Sequence, residues 1–274
     1  MPELPEVETM VRGVRPDLIG RRIVEARLTH TDVLRGVTRP KLLKALRGQV
    51  IDEVSRRAKH GVLRLGSRYF VLQPGMTGNL LVYHRPLSAD EAKYAVLRAR
   101  LDSGSEFVFR DIRRIGTLLL LDARGWEAYD RALGPEPLDP ALTEQQFIER
   151  LKPYTAAVKK VLMDQRRIVG VGNIYANEAL WSAGIDPSKS ARRVGVEQYG
   201  RLYQETRRIL QAAIDAEGTT FRDYRTGTGE PGNFQLSLAV YEREGQPCRR
   251  CGTRLTGTHE IDARITVFCH RCQR

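Results

Sequence analysis

The most restrictive feature of this 274-residue sequence is its last 27 residues, which hold all four of its cysteines: Cys248, Cys251, Cys269 and Cys272. The order is C-x2-C, 17 residues, C-x2-C. Four thiolates at that spacing fit one tetrahedral zinc ion, and two disulfides are the competing arrangement. No basic, apolar leader opens the chain, which predicts a reducing compartment and favours thiolates over disulfides. So short a segment buries little core, and bound metal then supplies its folding energy. Arg249, Arg250, Arg254, Arg264 and Arg271 crowd the module, as a contact with DNA phosphates requires.

The charge balance points the same way. Net charge is +12, which calls for a polyanionic partner, nucleic acid first. No apolar stretch approaches the roughly 18 residues of a spanning helix, so no membrane partner is expected.

The rest of the chain divides by periodicity. Val7, Met10, Val11 and Val14 fall on one helical face after Pro5, and Pro16 predicts the end of that helix. Residues 62–65 and 69–72 flank Gly66-Ser67 as a hairpin, and 106–109 and 117–121 read as further strands. Gly134-Pro135-Glu136-Pro137 and Asp139-Pro140 mark a linker. Beyond it the period turns helical. Thr143 and Gln146 form a capping box, short helices are expected over 155–165 and 173–183, and a longer one over 197–217 with Gly218 as its stop. Residues 226–234 are glycine-rich and read as a loop. The expected class is α+β: an N-terminal β-sandwich domain (1–130), a linker (131–140), a helical domain (141–235) and the four-cysteine zinc finger (236–274).

The opening Met1-Pro2-Glu3-Leu4-Pro5-Glu6 suggests chemistry. Removal of Met1 exposes a secondary amine on Pro2, whose pKa of about 8 leaves a usable neutral fraction at pH 7. Condensed with an aldehyde-level carbon, that amine gives an iminium with no N–H proton to lose, a permanent electron sink. At deoxyribose C1′ it acidifies C2′ and drives strand cleavage by elimination. Glu3 could move protons, and Glu6 could orient the site. Taken alone these residues leave the matter open, because proline at position 2 is common and ordinarily inert.

Taken together, the motifs resemble one family, the formamidopyrimidine-DNA glycosylases. The resemblance spans essentially the whole chain: PELPEVE at 2–8, RRAKH at 56–60, PGMTG at 74–78, DIRRIG at 111–116, LGPEPL at 133–138, VGVGNIYANEAL at 169–180, and the finger. It implies a β-sandwich, a helix–two-turn–helix domain and one structural zinc ion (Zn2+). It implies a base-excision-repair glycosylase with AP-lyase activity that flips oxidised purines such as 8-oxoguanine from duplex DNA. Pro2 would form the Schiff base, with β,δ-elimination following. Glu3 would be the general acid/base, Glu6 a supporting acid, and Lys59 the hairpin lysine that touches phosphate and assists catalysis. Asn173 and Arg264 would pinch the phosphate backbone, with Tyr175 beside Asn173 and Lys159 as a further phosphate contact. Met76, Arg113 and Ile115 would fill the space left by the flipped base. Ile115 stands where phenylalanine is common, and Tyr94-Ala95-Val96 where relatives often carry histidines. The partner would be damaged double-stranded DNA, and the protein a cytoplasmic monomer on the bacterial nucleoid. Two alternatives remain at this point: an endonuclease VIII type acting on oxidised pyrimidines, disfavoured by Leu4, and a non-enzymatic zinc-finger DNA-binding protein.

Overall fold

A computed structural model describes residues 2–219 and 233–274, in two compact units. The first comprises residues 2–131 with 216–219 and Asn233; the second comprises 132–215 and 234–274.

The first unit runs α1 (Leu4–Leu18), β1 (Ile23–Leu28), β2 (Leu34–Arg35), α2 (Arg39–Leu46), β3 (Glu53–Arg57), β4 (His60–Leu65), β5 (Arg68–Gln73), β6 (Gly78–Tyr83), α3 (Ala89–Lys93), β7 (Ala95–Leu101), β8 (Glu106–Asp111), β9 (Thr117–Asp122) and α4 (Ala123–Arg131). Its strands form two sheets, β1-β7-β8-β6 and β2-β9-β5-β4-β3. Leu80, Leu97, Ala99, Phe107 and Phe109 of one sheet share a core with Leu63, Leu65, Phe70, Leu72 and Leu118 of the other. The expected hairpin forms, with Leu65 paired to Arg68 across Gly66-Ser67.

Helix α1 closes one open side of this sandwich. It packs on β3 and β6, the edge strands of the two sheets on that side, and α2 packs on β1, an edge strand of the first sheet. Covering an edge removes a row of groups that would otherwise pair with another chain. Val7, Met10, Val11, Val14 and Leu18 are each 1% exposed or less, and each contributes roughly 1.5–3 kcal/mol by leaving water. That burial explains why the helix outruns Pro16. The proline forfeits one hydrogen bond in the last turn, while Leu18 beyond it is fully buried and Ile19 still donates to the Arg15 carbonyl.

The second unit holds α5 (Glu144–Leu151), α6 (Val158–Leu162), α7 (Asn173–Ala183), α8 (Val196–Asp215) and the hairpin β10 (Thr256–Thr258) and β11 (Thr266–Phe268). The Thr143–Gln146 capping box opens α5 as expected. The expected 155–165 helix is only α6, and α8 ends at Asp215, three residues before Gly218. Helix α7 lies against α6, α8 and β11, so the cysteine segment packs on a helix of its own unit. Of the glycine-rich 226–234 segment, residues 226–232 lie outside the described residues. Among the described residues no helix is long and apolar enough to cross a membrane.

Candidate active site, nucleic-acid interface and metal centre

Pro2 is buried and leads directly into α1. Glu3 and Glu6 are each 1% exposed. The Glu6 carboxylate accepts from the Glu3 backbone N–H at 2.8 Å through one oxygen and from the Thr219 N–H at 2.9 Å through the other. One side chain therefore fixes the N-terminus to a segment 213 residues away in sequence.

Lys59 sits half-buried on the two-residue turn that joins β3 to β4. Its neighbours hold that turn on both sides. Arg56 donates to Glu8 of α1 at 2.8 Å and to the Ala58 carbonyl at 2.9 Å. Arg57 donates to Asp130 of α4 at 2.5 Å. His60 Nδ1 lies 3.0 Å from the Arg57 carbonyl, which can only accept, so a neutral imidazole carries its proton there. Its Nε2 then accepts from the Tyr129 hydroxyl of α4 at 3.1 Å. The aromatic ladder Tyr69–Trp126–Tyr129, with centroids 4.9 and 6.0 Å apart, seats α4 against β5. Sequence reasoning missed α4 altogether, because Gly125 interrupts a segment whose only guide is two aromatics.

Met76, Arg113 and Ile115 are exposed, Met76 at 42% and Ile115 at 44%. Neither apolar side chain is therefore part of the sandwich core. The two loops that carry them touch. Arg113 Nη1 lies 3.3 Å from Met76 Sδ, and a Cβ on Gly75 would come within 2.7 Å of the Gly116 nitrogen. Gly75 also has φ +65°, so both its conformation and its surroundings require glycine.

The departures at 94–96 have a physical account here. The Tyr94 ring centroid lies 5.2 Å from the Lys93 ammonium and 5.3 Å from the Arg110 guanidinium, so its face is taken up by two cations. Ala95 and Val96 are 2% and 1% exposed and belong to the sandwich interior.

In the second unit Asn173 opens α7, and its amide donates to the Ile265 carbonyl at 3.1 Å. Asn177, one turn on, accepts from the Val267 N–H at 2.9 Å. Asn173 is thereby brought beside Ile265, the residue following Arg264. Arg264 is about half exposed, and Asp262 holds its Nε at 3.2 Å. That aspartate lies below the usual carboxylate range: burial pushes it up, but bonds from the Arg264 backbone and guanidinium and the nearby Lys159 charge pull it further down.

Two expected DNA contacts are placed differently from the others. Tyr175 is 1% exposed and packs near Phe234, with centroids 6.0 Å apart. Lys159 is 0% exposed; its amine donates to Thr266 Oγ1 at 2.6 Å and lies 3.9 Å from Asp262. Lysine is almost never fully buried unless paired. The pairing here ties α6 to the finger hairpin that carries Arg264.

The four cysteines converge, with their sulfurs all within 4.8 Å of one another. A tetrahedral ion at about 2.3 Å from each thiolate needs sulfurs roughly 3.8 Å apart. The Cys248–Cys272 and Cys251–Cys269 separations are 4.0 and 3.5 Å, so the donor set suits a metal ion. Hydrogen bonds from Thr253 draw the Cys251 thiol down to about 6, while burial and the neighbouring thiols push Cys272 up to about 12. Trp181 of α7 donates its indole N–H to Cys248 at 3.4 Å, and Arg250 lies over the indole at 4.5 Å. Glu178 of the same helix, 4% exposed, accepts from the Ala239, Val240 and Tyr241 N–H groups at 2.8, 2.9 and 2.8 Å. These ties of α7 to the chain entering the finger were not foreseen from the sequence.

Comparison with known proteins matches residues 1–118 to the formamidopyrimidine-DNA glycosylase N-terminal domain and residues 133–225 to the formamidopyrimidine-DNA glycosylase H2TH domain. A formamidopyrimidine-DNA glycosylase of Pseudomonas entomophila is 42% identical over 275 residues, covering 100% of both chains. The crystal structure of MutM (Fpg) from Thermus thermophilus is 35% identical with a TM-score of 0.86, over 99% of this chain and 98% of that one. A Lactococcus lactis Fpg in complex with DNA containing an abasic site is 29% identical with a TM-score of 0.89, covering 99% of each chain. With its sandwich, its helical unit and its cysteine cluster all matched, the chain belongs to the formamidopyrimidine-DNA glycosylase (Fpg, MutM) family.

Proposed function

We propose that this protein is a bifunctional base-excision-repair enzyme that removes oxidised purines from duplex DNA and then cleaves the strand through a covalent intermediate on Pro2. The observation that carries this reading is the buried corner of Pro2, Glu3 and Glu6 at the head of α1, in a chain that matches the family from end to end.

Chemistry follows from the residues. With Met1 removed, the Pro2 amine attacks C1′ of the damaged nucleotide, and the bond to the base breaks with its electron pair leaving on the base. The C1′–O4′ bond then opens, with O4′ taking the electron pair and a proton from Glu3, and the iminium left on C1′ acidifies C2′; loss of that proton expels the 3′ phosphate, and a second elimination releases the 5′ phosphate. Glu3, with its carboxyl out of bulk water, exchanges protons with the sugar. Glu6 is engaged by two backbone N–H groups and so positions the corner, leaving proton transfer to Glu3. Lys59, on a turn held by α1 and α4, meets a phosphate.

DNA is held by charge and by a wedge. Asn173, at the N-terminus of α7, and Arg264 take phosphates of the lesion strand. Met76, Arg113 and Ile115 occupy the space the flipped base vacates, which offsets part of the few kcal/mol that extrusion costs. Ile115 fills that gap without the stacking surface of an aromatic ring. Cys248, Cys251, Cys269 and Cys272 hold one zinc ion, which keeps the finger folded and plays no part in the bond-breaking steps. Lys159 supports the finger from beneath. The protein acts as a monomer in the bacterial cytoplasm.

Borohydride reduction tests the central step. Mature protein mixed with DNA carrying an abasic site should yield a stable cross-link, and a residue added before Pro2 should abolish it. Undiminished trapping with the extension present would remove Pro2 from the mechanism. Excision of 8-oxoguanine in preference to thymine glycol separates this enzyme from the endonuclease VIII type.

A further inference from the structure

We propose that Asp111 is a positioning residue that locks Met76, Arg113 and Ile115 into one preformed wedge before DNA arrives. The proposal rests on the reading above, in which those three side chains enter the duplex.

Asp111 ends β8 and is 1% exposed. One carboxylate oxygen accepts from the Thr77 hydroxyl at 2.5 Å and from the Arg113 N–H at 3.2 Å. The other accepts from the Gly116 N–H at 2.8 Å. Thr77 follows Met76, Arg113 is itself a wedge residue, and Gly116 follows Ile115. Each bond therefore falls on a wedge residue or its immediate neighbour, and the bonds come from both loops. The Thr77 hydroxyl closes the set by accepting from the Arg113 N–H at 2.9 Å.

A buried carboxylate is costly unless several donors satisfy it, and such charge-assisted bonds are short and directional. Here the donors are two backbone groups of one loop and a hydroxyl of the other, so the charge fixes backbone geometry across a gap between chain segments. Behind it the Gly75–Gly116 approach allows no filling side chain. On the outer side the three wedge residues are exposed, and Arg113 Nη1 lies 3.3 Å from Met76 Sδ. Ordering two loops on binding would cost affinity; a pair already ordered does not bear that cost.

The wedge is needed while a stacked base is being displaced. An abasic nucleotide offers no base to displace, so the clamp should matter for intact lesions and little for abasic sites. The experiment compares Asp111→Asn, Thr77→Val and Thr77→Ser with the parent, each in full-length, metal-loaded form. Two rates are read under single turnover: excision of 8-oxoguanine from duplex DNA, and borohydride trapping at an abasic site. Thermal midpoints are recorded alongside.

Asp111→Asn forces an amide N–H₂ against a backbone or hydroxyl donor, and should slow excision about tenfold or more while trapping stays within about threefold. Its preference for cytosine over adenine opposite the lesion should weaken, since Arg113 loses its fixed origin. Thr77→Val should reproduce the split with a smaller loss, and Thr77→Ser, which keeps the hydroxyl, should restore excision. If Asp111→Asn does not fold, the valine and serine pair decides the matter. Parallel loss of both rates in folded variants, or no loss of either, overturns the clamp. A parent that neither excises nor traps overturns the enzymatic reading instead, and the two failures are thereby distinct.

Discussion

Replacing Lys159 with methionine separates two parts this lysine could play. Methionine keeps the length and apolar bulk of the stem and removes the charge. The Lys159 amine donates to Thr266 at 2.6 Å and faces Asp262 at 3.9 Å, with side-chain exposures of 0% and 9% for the two charged partners. At an effective dielectric near 20, that ion pair is worth about 4 kcal/mol of gross attraction. Desolvation of both ions offsets much of it, while a bond from a charged donor contributes about 1.5–3 kcal/mol. The expected net loss is about 3 kcal/mol, or a midpoint lower by roughly 6–12 °C. A phosphate contact predicts something else: the log–log salt slope of DNA binding should become shallower by about 0.9. We expect the stability loss, an unchanged slope, and a partial recovery when Thr266→Val is added, because the hydroxyl is then no longer left unpaired while Asp262 still lacks the ammonium. Thermal unfolding of the metal-loaded protein and a salt titration of binding to abasic-site DNA provide the two readings. An unchanged midpoint with a shallower slope would refute the reasoning and return the amine to the DNA.

Other expectations are as direct. Arg264→Ala should reduce the salt slope by about 0.9, the contribution of one phosphate, and an unchanged slope would mean its guanidinium touches none. Arg113→Ala should lose the preference for cytosine over adenine opposite 8-oxoguanine, about tenfold in the parent, because the guanidinium offers only donors and adenine turns a donor toward it. Chelation, or Cys248→Ser, should weaken DNA binding while circular dichroism retains most of the helix and sheet signal, the two larger cores being independent of metal; full affinity in verified metal-free protein would contradict this. Glu8→Gln should lower stability at pH 7 by about 1 kcal/mol, a modest figure because the desolvation of Glu8 offsets much of the pull of its two arginines. Burial pushes the Glu8 carboxyl up, but Arg12 and Arg56 pull it further down, to a net position below the ordinary glutamate range. A depressed acid stabilises the fold above its unfolded value and loses that contribution as pH falls through the folded one, so parent and variant should converge below about pH 4.

What the sequence made legible was whatever depends on spacing or local pattern. The four cysteines needed only counting, and the apolar face of α1 and the box at Thr143 needed only the helical period. Pro16 misled because a local rule for ending helices competes with the burial of Leu18, a tertiary effect. The residues around the site were harder. Asp111 lies within a motif read for its arginine, and nothing in the order of residues shows that its carboxylate meets a threonine 34 positions earlier. Lys159 was placed on DNA by resemblance, and its burial depends on a hairpin 107 residues further along. The surroundings of Tyr94 could not be read either, because Arg110 comes beside it only when the neighbouring strand is in place.

The double engagement of Glu6 bears on how this protein is made. Its carboxylate receives Glu3 three residues away as soon as α1 forms, but its second partner, Thr219, is 213 residues later. At ribosomal rates of about 5–20 residues per second, that partner is synthesised roughly 10–40 s after Glu6. The sandwich strands are complete by Asp122, and can pair while the helical unit is still emerging. The corner of Pro2, Glu3 and Glu6 is thus the first part of the chain to be translated and among the last to be finished. A product truncated before residue 219 would keep the sandwich strands but lack the Glu6–Thr219 bond.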